Sequence, residues 1–112
     1  MGRISEPTYL EGLPIRPDIA REVFGTAILD GPVKVVLTRV APHGGVGRHR
    51  DGYGHLLYFL GGTGRGEVDG VEFLARPGVV VHIDPGEEHL YENTGDDDLT
   101  LISMNIPPHG AK

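Results

Sequence analysis

The stretch LLYFLGGTGRGEVDGVEFLARPGVVVHIDPG, residues 56–86, decides the fold of this chain. Short runs of β-branched, aromatic and other apolar residues alternate there with turns that contain glycine or proline. The Asp69-Gly70 dipeptide tolerates the positive φ angles of a tight type I′ turn, so it predicts a β-hairpin. Turn residues at 76–78 (RPG) and 84–86 (DPG) close the next two segments. This stretch therefore predicts short strands joined by close turns.

The same alternation continues on both sides of this stretch. Further strands are predicted at residues 23–29, 33–41 and 99–106, with turns at 30–32, 42–45 and 93–95. No segment carries apolar residues at helical spacing over about three turns. About eight short strands in so short a chain predict an all-β fold of the barrel or sandwich class, of which the jelly roll is one form.

An extended arm is predicted ahead of the barrel, over residues 1–20. Pro7, Pro14 and Pro17 exclude a regular helix there and remove donors from any strand ladder. The arm either lies across the barrel or adds an edge strand to a partner subunit. We assign residues 21–107 to one barrel domain and residues 108–112 to a tail.

Composition limits the classes of partner and of chemistry. A length of 112 residues fits one domain, and the small core favours a homodimer. The chain has no cysteine, so any metal must be held by nitrogen and oxygen ligands. A net charge of −6 disfavours nucleic acid and anionic membranes as partners. The chain shows no apolar run of membrane-spanning length and no signal-peptide pattern, so we expect a soluble, cytoplasmic protein.

Four side chains form the candidate metal site: His49, Asp51, His55 and His89. His49 and Asp51 are two positions apart, and residues i and i+2 of a strand point to the same face. His55 begins the next strand after a glycine-containing bend, and His89 follows the turn at 84–86. Three imidazoles and one carboxylate converge if these strands are neighbours in the barrel.

At these residues the sequence resembles the cupin superfamily, in particular its small, single-domain, metal-binding members of the conserved-barrel type. The first cupin motif is matched by His49-x-Asp51-x3-His55-x6-Gly62, and the second by Gly78-x5-Asp84-x-Gly86-x2-His89-x3-Asn93. The 15 residues between Gly62 and Gly78 resemble the short spacing of small microbial members. The resemblance implies a double-stranded β-helix, or jelly-roll barrel, with one divalent metal ion in each chain.

The ligand types depart from the cupin pattern at two positions. Asp51 stands where the family usually has its second histidine, and His55 stands where it usually has glutamate. The exchange keeps three histidines and one carboxylate, which favours a retained site. If the short Asp51 side chain stays outside the coordination sphere, a site of three histidines remains. Fe(II) or Mn(II) is favoured, and Ni(II), Zn(II), Cu(II) and Co(II) also suit nitrogen and oxygen ligands.

Strand alternation places further side chains near the metal. Leu57 and Phe59 share the face of His55, and Tyr91 and Asn93 share the face of His89, so all four are predicted to line the substrate pocket. Arg39 and Tyr53 are added to that pocket as groups that could anchor an acidic substrate.

Two residues are candidates for proton transfer. Tyr91 is either a proton donor or an aromatic residue that closes one end of the core. His82 is either an acid or base near the metal or, as favoured, a histidine of the core or the outer sheet face. Arg50 should point away from the metal, and His43 and His109 are expected in solvent.

The leading functional hypothesis is a metal-dependent enzyme that acts on a small organic molecule, with an oxygenase as the largest subclass by resemblance. A non-redox lyase, isomerase or cyclase is the first alternative. The second is a ligand-binding or sensing module in which the metal is structural.

Overall fold

The computed structural model describes residues 2–9 and 12–108, and it is built from antiparallel strands. Their bounds are β1 Leu13–Pro14, β2 Ala20–Asp30, β3 Lys34–His49, β4 Gly54–Gly61, β5 Gly64–Val68, β6 Val71–Ala75, β7 Val80–Ile83, β8 His89–Asn93 and β9 Leu99–Ile106. The described residues contain no α-helix, so the all-β prediction is confirmed. None of these residues forms a helix that could cross a bilayer.

The strands form one curled sheet in the order β6-β5-β8-β3-β9-β4-β7, with β2 on the other edge of β3. The first part of β3 pairs with β9, and its last residues pair with β8. β3 therefore joins the β6-β5-β8 half of the sheet to the β9-β4-β7 half. This arrangement of a curled antiparallel sheet is a jelly-roll barrel, as predicted.

β3 corrects one boundary that was predicted from the sequence. Residues 42–45 were expected to form a turn, but β3 continues through them as far as His49. The chain bends there instead of reversing, since His43 has a φ of 69° and four residues of β3 oppose one residue of β2 between Val40 and Gly45. Such a bulge changes the direction of a strand without ending it. The bend lies where β3 exchanges β9 for β8 as its partner.

The hairpin at Asp69-Gly70 is confirmed. β5 and β6 pair in register up to Val68 and Val71, which leaves two residues in the loop. Asp69 has a φ of 47° and Gly70 a φ of 81°, as a type I′ turn requires.

The inward side chains divide the barrel into a filled end and an open end. In β9 the inward residues change from buried Leu99 and Leu101 to Ser103 and Asn105, which line a cavity. β4 runs antiparallel to β9, so its inward residues begin with His55 at the cavity and end with the fully buried Phe59. The Phe59 ring packs edge-on to the Tyr91 ring at 6.2 Å between centroids. The core is therefore built at one end and the site at the other.

Part of the predicted N-terminal arm pairs with its own chain. Leu13 lies opposite Gly25 and Pro14 opposite Phe24, and the Ile15 amide donates to the carbonyl oxygen of Val23 at 2.9 Å. A side chain at Gly25 would overlap the Ile15 side chain, so glycine permits this close approach. Residues 109–112 of the predicted tail lie outside the described residues. They include His109, which was expected in solvent.

Apolar side chains are partly exposed on the outer face of β4 and β7. Tyr58, Leu60 and Val80 all alternate with buried neighbours and face outward. Exposed apolar residues are common on monomeric proteins, so they do not decide the oligomeric state. The homodimer stays a prediction.

Phe59 tests the position of the core. Replacement of this fully buried ring in Phe59→Ala should lower the free energy of unfolding by about 3–5 kcal/mol, because it removes apolar contacts and leaves a cavity. Leu74→Ala is the control, since that side chain is 59% exposed and should cost less than about 1 kcal/mol. Urea denaturation measures both, and equal losses would contradict this placement of the core.

Candidate metal centre

The four predicted ligands lie together at the open end of the barrel. His49 ends β3 and His89 begins β8, and the two residues are paired across these strands with their rings 4.2 Å apart. His55 is the second residue of β4, and Asp51 lies in the connection between β3 and β4. The side chains are 5% to 12% exposed. The alternation that buries Phe59 also turns His55 inward.

The imidazole Nε2 atoms converge on one carboxylate oxygen. Asp51 Oδ2 lies 2.8 Å from Nε2 of His55, 3.1 Å from Nε2 of His49 and 3.8 Å from Nε2 of His89. Two atoms that bind one ion at about 2.1 Å lie about 3.0–3.4 Å apart in octahedral or tetrahedral geometry. The 3.1 Å separation lies in that range, and the other two lie just outside it. The ligand atoms of His49, Asp51 and His89 all lie within 4.8 Å of one another, so these three residues could hold a divalent ion, and His55 lies beside the same carboxylate oxygen.

Backbone carbonyls orient two of the rings. His49 Nδ1 lies 2.7 Å from the carbonyl oxygen of Gly47, and His89 Nδ1 lies 2.9 Å from that of Glu87. A carbonyl oxygen only accepts hydrogen bonds, so both Nδ1 atoms carry the proton and donate. In the neutral ring, Nε2 then presents a lone pair towards Asp51. For His49, the Nε2 lone pair and the carboxylate oxygen repel at 3.1 Å unless a proton or a metal ion lies between them. Three imidazoles and one carboxylate are a donor set that suits a divalent metal ion.

Burial and mutual contact change the acidity of the cluster. Burial is the main cause that lowers the pKa of His55 and the pKa of His89 below the usual histidine value. For Asp51, burial opposes ionisation, but the hydrogen bond with His55 and electrostatic interaction with His49 and His55 leave its pKa below the usual value. These shifts favour the neutral form of His55 and His89 and the ionised form of Asp51, which are the forms that bind metal.

Arg16 and Tyr53 border the cluster. Arg16 Nη1 lies 3.4 Å from Asp51 Oδ1, the carboxylate oxygen that does not face the histidines. The Tyr53 ring packs on His55 at 4.9 Å between centroids, and its hydroxyl interacts with the Arg16 side chain. Arg16 therefore borders Asp51 on the side that faces away from the histidines.

The cluster opens into a cavity of about 500 Å³. Its apolar lining comes from Leu13, Pro14, Ile15, Ile19, Ala27, Val36, Val46, Leu57 and Ile83. Its polar and charged lining, besides the cluster, comes from Arg16, Lys34, Thr38, Tyr53, Tyr91, Ser103 and Asn105. A space of this size and composition is typical of a small-molecule site.

Three of the residues predicted for the pocket line this cavity, namely Leu57, Tyr53 and Tyr91. Tyr91 is buried, and burial raises the pKa of its hydroxyl above the usual tyrosine value. Phe59 is not among the lining residues, because it lies deeper in the core.

Asn93 and Arg39 also lie elsewhere than predicted. Asn93 is buried, but its amide donates to the carbonyl oxygens of Val40 and Asp97, so it ties the turn after β8 to β3. Arg39 points outward, where its guanidinium lies 4.4 Å from the centre of the Phe24 ring. The alternation of side chains along β8 predicts the face on which Asn93 lies but not its depth in the barrel.

The structure does not bring His82 to the cluster. It lies in β7 between inward Val81 and Ile83, and its side chain is 63% exposed beside Asp84. Arg50 and His43 are exposed, as expected, and Arg50 donates to the carbonyl oxygen of Gly86.

Sequence reasoning missed five polar residues of the cavity, one of which is Thr38 on the inner face of β3. Lys34, Ser103 and Asn105 follow the inward alternation of β3 and β9, so parity counted from Val40 and Leu101 could have found them. Arg16 carries no such signal, since only the folding of the N-terminal segment against β2 brings it to the site.

The acidity of the cluster predicts a pH dependence of stability. Because the pKa values of His55 and His89 are lowered by folding, the folded protein binds fewer protons than the unfolded chain just below pH 6.5 or so. The free energy of unfolding of the metal-free protein should therefore fall as the pH decreases, by up to about 1.4 kcal/mol per pH unit for each histidine, until the folded-state pKa is reached.

Urea titrations between pH 7.5 and about pH 5 measure this slope. His55→Gln should make it shallower, whereas His82→Gln, which replaces an exposed histidine, should leave it unchanged. A slope that His55→Gln does not alter would contradict the assignment.

Comparison with known proteins identifies the family. The profile of the cupin domain matches residues 36–105, which contain all four candidate ligands. A comparison with curated proteins gave no significant match.

Solved structures share the fold. A predicted oxalate decarboxylase from Thermotoga maritima is 27% identical, with a TM-score of 0.71 over 76% of this chain and 80% of that one. The polyketide cyclase RemF from Streptomyces resistomycificus is 18% identical, with a TM-score of 0.76 over 92% and 79% of the two chains. KdgF from a Halomonas species is 13% identical, with a TM-score of 0.73 over 88% of each chain. The barrel, the four converging side chains and the match to the family profile agree, and the chain belongs to the cupin family.

Proposed function

We propose that this protein is an enzyme that uses one divalent metal ion to act on a small organic molecule. The observation that carries the proposal is the convergence of three imidazole Nε2 atoms on one carboxylate oxygen at the wall of a cavity of about 500 Å³. A purely structural site has no need to open into such a space.

His49, Asp51, His55 and His89 would hold the ion. When bound, a divalent ion supplies a Lewis acid for substrate oxygen atoms, and a redox-active ion also supports reactions with O₂. The protein prepares the site by fixing the rings of His49 and His89 through backbone carbonyls. Apolar side chains over much of the cavity lining exclude water from the bound substrate.

Among the reaction classes we favour an oxygenase. Apart from the cluster, the titratable groups among the described lining residues are Arg16, Lys34, Tyr53 and Tyr91. Burial is the first cause that raises the pKa of Tyr53 and of Tyr91, so both hydroxyls remain protonated at neutral pH. The cavity thus lacks a side chain free to act as a general base, which favours chemistry that depends on the metal rather than on proton abstraction.

A non-redox reaction is the second candidate, because the buried Tyr91 hydroxyl gives the cavity a hydrogen-bond donor. This hydroxyl would donate a hydrogen bond to a substrate oxygen that gains negative charge. Two similar structures bear the names of a polyketide cyclase and a predicted oxalate decarboxylase, which adds support to this candidate.

We also propose Fe(II) or Mn(II) as the ion. Both accept imidazole and carboxylate ligands, and with six positions they keep room for substrate beside four protein ligands.

Loss of one ligand should abolish stable metal binding. We expect His49→Ala, Asp51→Asn and His89→Ala each to weaken binding by about 100-fold or more, since loss of a mere supporting hydrogen bond already costs about 10–100-fold. Elemental analysis and calorimetric titration with Mn(II) measure this, with His82→Gln as the control. Full binding by Asp51→Asn would reduce the site to three histidines, and full binding by His89→Ala would contradict the proposal.

The same variants separate a catalytic from a structural metal. If the ion only stabilises the fold, its removal by His89→Ala should lower the melting temperature and leave no activity to be lost. A variant that loses metal and turnover but keeps its melting temperature supports the enzyme.

Oxygen separates the two reaction classes. The Fe(II)-loaded enzyme should consume O₂ with substrate, and Tyr91→Phe should retain most of that activity. Turnover of the Zn(II)-loaded protein without O₂, together with a loss of about 100-fold or more in Tyr91→Phe, would favour the non-redox reaction instead.

A further inference from the structure

We infer that the cavity binds an organic acid, with an apolar body and a carboxylate held by Arg16 and Lys34. This inference rests on the proposed function only in that the same cavity receives the substrate. It adds the chemical class of that substrate, which neither the fold nor the metal ligands determine.

The charge of the cavity is opposite to that of the chain. The sequence has 16 acidic and 10 basic residues, with a net charge of −6. Among the described lining residues, however, Asp51 is the single carboxylate, whereas Arg16 and Lys34 are both cationic. One carboxylate can balance only one of these two cations, and Asp51 already contacts Arg16. A cationic cavity in an acidic protein favours an anionic ligand.

Arg16 can exchange its present partners for a ligand. Its contacts with Asp18 are 3.3 and 3.4 Å long, and its contact with Asp51 is 3.4 Å. Hydrogen bonds between a guanidinium and a carboxylate are typically about 2.7–2.9 Å, so these contacts are loose. The Asp18 side chain is 64% exposed, and a surface pair of this kind contributes little stability. A substrate carboxylate beside the metal can therefore take donors of Arg16.

Lys34 belongs to a polar wall on the inner face of β3 and β9. It is paired across these strands with Asn105, and the next inward pair is Val36 with Ser103. Ser103 Oγ lies 3.0 Å from Thr38 Oγ1, and the Asn105 side chain hydrogen-bonds to His55. Asn105 is paired with Lys34 on one side and with His55 on the other, so it lies between the exposed mouth and the metal cluster and provides a polar surface for an anionic group.

The rest of the cavity lining is mostly apolar and favours a ligand with an apolar body. Leu13, Pro14, Ile15 and Ile19 of the N-terminal segment line the cavity, together with Leu57 and Ile83. A small, fully polar acid would leave these side chains against water, whereas an aryl or alkyl body would cover them. A volume of about 500 Å³ is large for a two- or three-carbon acid and suits a longer one.

Calorimetric titration with 3-phenylpropanoate and its neutral amide, 3-phenylpropanamide, tests the inference, because the two probes differ in charge and share the apolar body. Wild-type protein should bind the acid at least about tenfold more tightly than the amide. Arg16→Gln and Lys34→Gln should each weaken binding of the acid by about 3- to 10-fold and leave binding of the amide unchanged. Arg76→Gln, which removes the same charge at an exposed position outside the cavity lining, should bind both probes as the wild type does.

Three results would overturn the inference: no detectable binding of the acid at millimolar concentration, equal binding of acid and amide, or a full preference for the acid in an Arg16→Gln/Lys34→Gln double variant. Displacement of the acid by inorganic phosphate at equal concentration would also overturn it, because the site would then select an anion without the organic body.

Every titration is run on the metal-loaded and on the metal-free protein, and the metal content of each variant is measured. Failure of the wild type to bind metal would overturn the proposed function alone, since the preference of the metal-free protein for the acid tests Arg16 and Lys34 by itself.

Discussion

The pairing of β3 with β8 is the constraint on which the candidate site depends. It places His49 directly opposite His89, and backbone carbonyls of Gly47 and Glu87 then fix the direction of each ring. Asp51 and His55 complete the cluster from the adjacent connection and from β4. The positions of His49 and His89 are thus set by backbone hydrogen bonds. Side-chain packing has only to exclude water around ligands that are already in position.

The two ends of the barrel have different roles: one end holds the apolar core and the other holds the candidate binding site. β3, β4 and β9 each contribute apolar residues at the filled end and polar residues at the cavity, without a change of face. Burial of the Asp51 carboxylate costs free energy, because desolvation disfavours charge. The apolar contacts around Phe59 offset this cost from the other end of the same strands. Binding groups can therefore be placed on rigid elements and still face a space of about 500 Å³.

Local chemistry made much of this visible in the sequence. The hairpin at Asp69-Gly70, the last strand and the inward direction of His55 and His89 follow from turn residues and from the two-residue period. The same period failed to place Asn93 and Phe59 along the barrel axis, because it specifies a face and not a depth.

Long-range features were less accessible. β3 continues through residues 42–45 because a bulge accommodates the proline and glycines that elsewhere mark turns. Arg16 reaches Asp51 across 35 positions of sequence, and only the tertiary packing of the N-terminal segment on β2 produces that contact. Arg39 lies on the outer face because its strand parity is opposite to that of Val40 and Thr38.

The N-terminal segment contributes to the cavity wall but not to the set of candidate metal ligands. It supplies Arg16 and several apolar residues of the cavity wall, yet its strand β1 has only two residues and pairs with β2 alone. None of the four candidate ligands lies on it. Substitutions in this segment change the wall of the cavity without replacing a candidate ligand, so the shape of the cavity and the set of ligands can evolve separately.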